Sequence, residues 1–195
     1  MEIKDFVEKR KLQNTPVYGL DLLSSTTALQ SLNVDGIAVG LGDPRDEEEK
    51  KEDEDKRSIV TTNLLTEKKK SWELIEKMMS KMEITSFDLI LQRGVGGLES
   101  IGGPLRRMYH LQKMWKHLSE GGIILTEVKD TDLEYLQDYG WIKLWQSTPG
   151  IKVRPLNLKC AGLLISKGKN APDSLPIPSG ITSIKELAKD KLSKE

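Results

Sequence analysis

The sequence predicts an α/β fold in which a mostly parallel sheet carries helices on both faces. The first observation is the regular alternation of short apolar segments with amphipathic ones along the 195-residue chain. The second is the stretch from residue 86 to residue 128, where two apolar segments flank one amphipathic segment. The first of them, FDLIL at 87–91, is short and bounded, as is typical of a strand buried on both faces. A right-handed crossover would make the two strands parallel, which favours an open, doubly wound sheet.

The other segments continue this alternation, and polar turns or glycine and proline residues separate them. We expect strands at residues 17–23, 37–41, 57–62, 87–91, 121–128, 141–146 and 158–166. We expect helices, with their capping residues, at residues 1–12, 24–32, 71–82, 105–118 and 130–138. Ser71 is the expected N-cap of the third of these helices.

The spacing of apolar residues within the helices separates the expected core from the expected surface. Trp115 lies on the apolar stripe of its helix and is expected in the core, and Met79 is expected to fill core space. His110 and His117 share a flank with Lys113, so we expect both histidines to be solvated.

Composition limits the classes of function. The chain has 30 basic and 30 acidic residues, so its overall charge favours neither a nucleic-acid partner nor a membrane partner. Cys160 is the only cysteine, which excludes an internal disulfide, and with two histidines in the chain we expect no metal site. Without a long apolar run or a signal peptide, the protein is expected to be cytoplasmic.

Residues 43–57, DPRDEEEKKEDEDKR, are almost wholly charged and are expected to form a mobile loop. This loop is either a plain surface excursion or a docking site for a basic partner. We expect residues 1–169 to form one α/β domain that includes this loop. Residues 170–195 are expected to form a proline-containing linker and a charged C-terminal tail.

The amino-acid sequences of several segments, taken in order, resemble those of the class I S-adenosylmethionine-dependent methyltransferases. The resemblance spans about residues 17–167 and is strongest in FDLILQRGVGG at 87–97 and LQKMWKHLSEGGIILTEV at 111–128. It implies a seven-stranded, Rossmann-like sheet with helices on both faces. It also implies an antiparallel last strand, CAGLLISK at 160–167, inserted between the fifth and sixth strands, and an aromatic-led sixth strand that begins at Trp141.

The family's first motif has the form LDLGCGTG, and LDLLSSTT at 20–27 stands in its place. The resemblance implies that Asp21, Ser24, Ser25 and Thr27 contact the cofactor. Leu23, Ser25 and Thr27 occupy the glycine positions, where backbone would approach the cofactor closely. Two interpretations are open: a divergent turn whose serine hydroxyls bind the cofactor, or a polar turn that only caps the following helix.

Further cofactor contacts are implied after the second and third strands. Asp43 stands one residue beyond the place of the family's ribose-binding acid, where it either substitutes for that acid or begins a turn with Pro44. Asn63 and Leu64 occupy the place of the adenine contacts, and Asn63 also fits a plain turn that ends the strand.

The loop QRGVGG at 92–97 follows the fourth strand, and the resemblance implies that it faces the transferred methyl group. Gln92 and Arg93 are therefore the catalytic candidates, and Gln92 is also a cofactor candidate. No motif for a particular acceptor is present, so the acceptor substrate is not readable from the sequence.

The sequence leaves two main hypotheses of function. The first is an enzyme, an S-adenosylmethionine-dependent methyltransferase whose partners are the small-molecule cofactor and an unknown acceptor. The second is a methyltransferase-like binding or scaffold protein that has lost the cofactor, as the missing glycines at 23, 25 and 27 suggest. A different nucleotide-binding α/β enzyme is disfavoured, because the chain has neither a phosphate-binding loop motif nor an intact G-x-G-x-x-G.

Overall fold

The computed structural model describes residues 3–13, 16–22, 27–40, 57–64, 67–92, 104–127, 140–157 and 161–178. The strands are β1 (Tyr18–Leu22), β2 (Asp35–Gly40), β3 (Arg57–Thr61), β4 (Phe87–Gln92), β5 (Leu118–Glu127), β6 (Ile151–Asn157) and β7 (Ala161–Lys167). The helices are α1 (Ile3–Lys11), α2 (Thr27–Ser31), α3 (Lys68–Lys81), α4 (Pro104–His117) and α5 (Trp141–Ser147). None of the helices in these ranges is long and apolar enough to cross a membrane.

The strands form one seven-stranded sheet in the order β3-β2-β1-β4-β5-β7-β6. Strands β1 to β5 are all parallel to one another, and β7 runs antiparallel to both β5 and β6. The predicted fold class is confirmed, including the antiparallel last strand between the fifth and sixth. The strand order reverses between β1 and β4, and in sheets of this kind the crevice at that reversal is where ligands bind.

Side chains alternate between the two faces of the sheet, and each face is covered by its own helices. On one face, Leu20, Leu22 and Ile90 belong to the larger core cluster, which includes Trp72 of α3 and Trp115 of α4. On the other face, Leu89, Leu91 and Ile123 belong to a second cluster with Phe6 of α1 and Leu29 of α2. Trp115 and Met79 are buried in the first cluster, as their spacing predicts.

The expected strand at 141–146 is wrong, because these residues form helix α5. Trp141, Ile142 and Trp145 fall on one side of a helix and are all buried, a pattern with a period of 3.6 that resembles a strand over a window this short. The aromatic-led sixth strand implied at Trp141 is wrong for the same reason. The sixth strand is Ile151–Asn157, and it tolerates Pro155 because it pairs only with β7, at the edge of the sheet.

Two further local expectations are corrected. Ser71 is not an N-cap: α3 begins at Lys68, and the Ser71 hydroxyl lies 2.8 Å from Thr62 Oγ1, a buried bond that ties the helix to the end of β3. Strand β5 begins at Leu118, not at Gly121, because Leu118 already pairs with Phe87 before the register shifts. The helix expected at 130–138 lies outside the described residues.

Segment 171–178 packs against α4 and α5. Trp115 Nε1 donates to the carbonyl of Pro172 at 2.8 Å, and Trp145 Nε1 donates to that of Pro176 at 3.0 Å. Gln112 bonds both backbone groups of Leu175, whose side chain is buried. The division of the chain at residue 170 stays a prediction, while these contacts show that the segment just after it adds to the core.

The two histidines of α4 are buried, so the expectation of a solvated flank is wrong. The Trp72 indole donates to His110 Nδ1 at 3.0 Å and stacks on the His117 ring with centroids 5.7 Å apart. Glu76 of α3 lies 3.0 Å from both His117 Nε2 and Lys113 Nζ. Tertiary contact between α3 and α4 thus covers a flank that the sequence of α4 alone marks as polar.

These contacts predict a loss of stability in mild acid. Burial lowers the pKa of His117 below its usual 6.5, although Glu76 opposes the shift. The unfolded chain therefore binds the proton more readily, and stability declines as pH falls from 6.5 towards the lower folded pKa. Burial tends to raise the pKa of Glu76, but hydrogen bonds from Lys113 and His117 outweigh burial and hold that pKa below 4.5. The stability that the Glu76 carboxylate contributes is therefore lost only at lower pH than the contribution of His117.

Urea unfolding of the wild type and of His117→Gln at about pH 7.5 and about pH 5.5 measures the effect. We expect the wild type to lose more stability than the variant between these two values. An equal loss in both proteins would show that His117 does not carry the acid sensitivity.

Candidate functional site

The carboxyl ends of the parallel strands line up at one edge of the sheet, here called the carboxyl edge. In register, Leu22 at the end of β1 pairs with Val39 of β2 on one side and with Gln92 of β4 on the other. Gln92 in turn pairs with Thr126 of β5, and Gly40 of β2 pairs with Thr61 of β3. Gln92 therefore stands directly at the reversal of strand order.

Asp21 precedes the last residue of β1 and is fully buried. It pairs in register with Ala38 and Leu91, so the residues beside it on both neighbouring strands are apolar. Alternation along β1 places its side chain on the face opposite Leu22. A carboxylate at this depth is costly unless polar groups compensate it, so Asp21 marks a place where polar interactions matter more than packing.

Gln92 is also fully buried, and it faces the α3–α4 side of the sheet together with Thr126. The Thr126 hydroxyl donates to Gln92 Oε1, which holds the amide in one orientation. Gln92 Nε2 has no hydrogen-bond partner within the described part of the chain. An amide N–H₂ buried at the switch point without a partner is costly for a folded protein and is a ready donor for a ligand.

The end of β3 is held in place by short polar contacts. Thr62 N donates to the carbonyl of Gly40 at 3.2 Å, and its hydroxyl bonds Ser71 of α3. Asn63, which follows, is exposed, while Leu64 is fully buried in the larger core cluster. The structure thus ties Thr62, the residue before Asn63, to the end of β2, and it puts Leu64 into the core.

The remaining site candidates cannot be placed. Ser24, Ser25, Asp43 and Arg93 lie outside the described residues, as does the side chain of Thr27. Thr126 is the residue that sequence reasoning missed. Its signal is modest, a hydroxyl at the end of an apolar strand, and its role depends on the pairing of β5 with β4.

No metal-binding arrangement is present among the residues that the structure describes, in the sense that no three His, Cys, Asp or Glu side chains cluster there. The chemistry available at the carboxyl edge in these ranges is therefore that of a buried carboxylate and a buried amide.

Comparison with solved structures identifies the architecture. Human methyltransferase-like protein 13, solved in complex with SAH, superposes with a TM-score of 0.52 at 14% identity, over 98% of this chain and 89% of that one. The chain has the class I methyltransferase fold. The N-methyltransferase NodS from Bradyrhizobium japonicum, in complex with S-adenosyl-L-homocysteine, gives a TM-score of 0.50 at 12% identity, over 84% and 85% of the two chains.

The MycE methyltransferase of the mycinamycin biosynthetic pathway, in complex with Mg and SAH, gives a TM-score of 0.53 at 14% identity. That match covers 94% of this chain and 55% of the other, so this chain spans just over half the length of that protein. The sequence matches no family model and no curated protein. At these identities the likeness establishes the fold, and function has to be argued from the site.

Proposed function

We propose that the protein is a methyltransferase that binds S-adenosylmethionine at the carboxyl edge of the sheet. The observation that carries the proposal is Gln92, a fully buried amide whose Nε2 has no partner in the described ranges and which stands at the reversal of strand order. Ligands of doubly wound sheets bind at that position. The solved structures of the same fold that carry SAH support the choice of cofactor.

Each candidate residue has a role that follows from its place. When bound, S-adenosylmethionine supplies an activated methyl group, whose transfer to a nucleophilic atom leaves S-adenosylhomocysteine. Gln92, locked by Thr126, would donate its amide N–H to the bound ligand from the end of β4. Asp21 would contribute negative charge near the end of β1, which would favour the α-ammonium and sulfonium cations of the cofactor.

The contacts proposed from sequence complete the site. Ser24, Ser25 and Thr27 would line the turn after β1, Asp43 would bind the ribose, and Asn63 would approach the adenine beside Leu64. Arg93 would face the acceptor. A cytoplasmic location remains part of the proposal. The acceptor is left open: positioning of the two reactants can support methyl transfer without a general base, so no catalytic base points to a particular acceptor.

Calorimetric titration of the full chain with S-adenosylmethionine and with S-adenosylhomocysteine tests the proposal. We expect the wild type to bind both. We expect Gln92→Leu to weaken binding about tenfold, because one hydrogen bond to a buried donor contributes about 1 to 1.5 kcal/mol. Gln146→Leu is the matched control, since Gln146 is an exposed residue of α5, which packs against β6, three strands away from β4. The affinity of this variant should equal that of the wild type.

Absence of binding at about millimolar ligand would refute the cofactor site and favour the non-catalytic alternative. If Gln92→Leu and Gln146→Leu bound equally well, the cofactor would not use the Gln92 amide. Circular dichroism of both variants separates loss of binding from loss of fold.

A further inference from the structure

A concave surface lies at the edge of the sheet opposite the proposed cofactor site, where β5 begins. This amino-edge cleft has a volume of about 690 Å³. Its walls come from the last turns of α1, the start of β5, the start of β6 and the end of β7. It is independent of the proposed cofactor site, because parallel strands place the two at opposite ends of β5.

Five basic residues line this cleft: Lys9, Arg10, Lys152, Lys167 and Lys169. Among the described residues that line it, none is acidic. Such a concentration is unexpected in a chain whose basic and acidic residues balance at 30 each. Arg10 is paired with Asp88, so the local positive potential that favours an anion comes from the exposed lysines.

Two of the cations are held in fixed positions. Arg10 pairs with Asp88 and also lies within hydrogen-bond reach of the carbonyl of Glu120 at 3.4 Å. Lys167 Nζ donates to the carbonyls of Trp115 and Leu118 at 3.1 and 3.0 Å. The Lys167 ammonium also lies 5.2 Å from the centre of the Trp115 ring, so it is held at the end of α4 and is not free to meet a ligand.

The other three cations have no such restraint. Lys9, Lys152 and Lys169 are exposed, and within the described ranges none of them forms an ion pair. Lysine ammonium groups act as compact, mobile point charges and bind phosphate readily. The cleft therefore offers three adaptable ammonium groups.

The floor of the cleft exposes little apolar surface to a ligand. Its apolar side chains Phe6, Ile123 and Ile151 are buried in the core and present at most 6% of their surface. None of the described lining residues therefore supplies an exposed ring on which a base could stack. Recognition here has to depend on the charge of the ligand.

We propose that the amino-edge cleft binds a small molecule with two or more phosphate groups. Its volume lies within the range of small-ligand sites, about 300 to 1,000 Å³. A nucleic-acid backbone needs a basic track over an extended surface, whereas these cations converge on one cleft of a charge-neutral chain. Several phosphates on one small ligand would offer a separate anionic group to each of Lys9, Lys152 and Lys169, which line the same cleft.

The test is a titration of the full chain with sodium tripolyphosphate at about 50 mM salt, where screening is weak. The triple variant Lys9→Gln, Lys152→Gln, Lys169→Gln should bind about a hundredfold more weakly, at about fivefold for each ammonium lost. The control is Lys77→Gln, Lys81→Gln, Lys143→Gln, which removes the same charge from exposed lysines outside the cleft and should bind like the wild type.

Four results would overturn the proposal. They are no binding of tripolyphosphate by the wild type, equal binding by the two triple variants, orthophosphate binding as tight as that of tripolyphosphate, and displacement of tripolyphosphate by a tighter-binding uridine oligonucleotide. The last would assign the cleft to nucleic acid. None of these measurements uses S-adenosylmethionine, so the result is separate from the fate of the cofactor proposal.

Discussion

Replacing Asp88 with alanine is expected to lower the free energy of unfolding by about 3 kcal/mol. Asp88 lies in β4, is only 7% exposed and accepts hydrogen bonds from three separate elements. It pairs with Arg10 of α1, accepts the Ser119 hydroxyl of β5 at 2.9 Å, and accepts the backbone N–H of Tyr18 at the start of β1 at 3.1 Å.

The size of the effect follows from what is left behind. Without the carboxylate, the Arg10 guanidinium loses its counter-charge, and the Tyr18 N–H loses its acceptor where β1 begins. An uncompensated buried charge costs more than the lost attraction, and because Arg10 is partly exposed we place the cost at the low end of about 3 to 5 kcal/mol.

Urea unfolding monitored by tryptophan fluorescence gives this free energy. The matched control is Asp173→Ala, at an exposed position, which should change stability by less than about 0.5 kcal/mol. Asp88→Asn keeps an acceptor for Tyr18 but loses the charge, so it should fall between the two. If Asp88→Ala were as stable as the control, the contacts of Asp88 with Arg10, Ser119 and Tyr18 would make no net contribution to stability.

Replacing Gly36 with alanine is the second large expected loss, of at least about 3 kcal/mol. Gly36 lies at the start of β2, directly opposite Gly19 of β1, with a φ of 151°. A Cβ there would lie 1.9 Å from the Gly19 carbonyl oxygen, which is backbone and cannot rotate away. Relief would require β1 and β2 to separate near the middle of the sheet.

Thermal unfolding of Gly36→Ala beside Gly140→Ala measures the contribution of this contact. Gly140 also has a positive φ, 72°, but a Cβ there would meet no atom of the described residues within 4 Å. Its substitution should cost only the backbone strain, about 1 to 2 kcal/mol. Equal losses in the two variants would show that backbone strain, and not the close approach of β1 and β2, explains why glycine is needed at position 36.

The periodicity of the chain was sufficient to predict most of the sheet. FDLIL and GGIILTE are apolar on both faces of their strands, and such segments have few alternatives to a central position in a parallel sheet. The same periodicity failed at Trp141–Ser147, where seven residues are too few to separate a period of two from one of 3.6.

The candidate site was predictable only in part. Position along the chain placed Asp21 and Gln92 at strand ends, and the structure brings both to the edge where β1 and β4 meet. It did not reveal that Thr126 would orient the Gln92 amide, because these residues are 34 positions apart and meet only when β5 pairs with β4.

The local sequence pattern therefore specifies the class of fold and the apolar core positions such as Trp115, because the spacing of hydrophobic residues sets the buried face of an element within a few residues. Three other features arise only when distant segments meet. They are the burial of His110 and His117, the contacts of Asp88 with α1, β1 and β5, and the convergence of cations from α1, β6 and β7. The local sequence does not predict which partner a polar side chain will have, because hydrogen bonds and ion pairs depend on distances that the packing of the whole sheet sets.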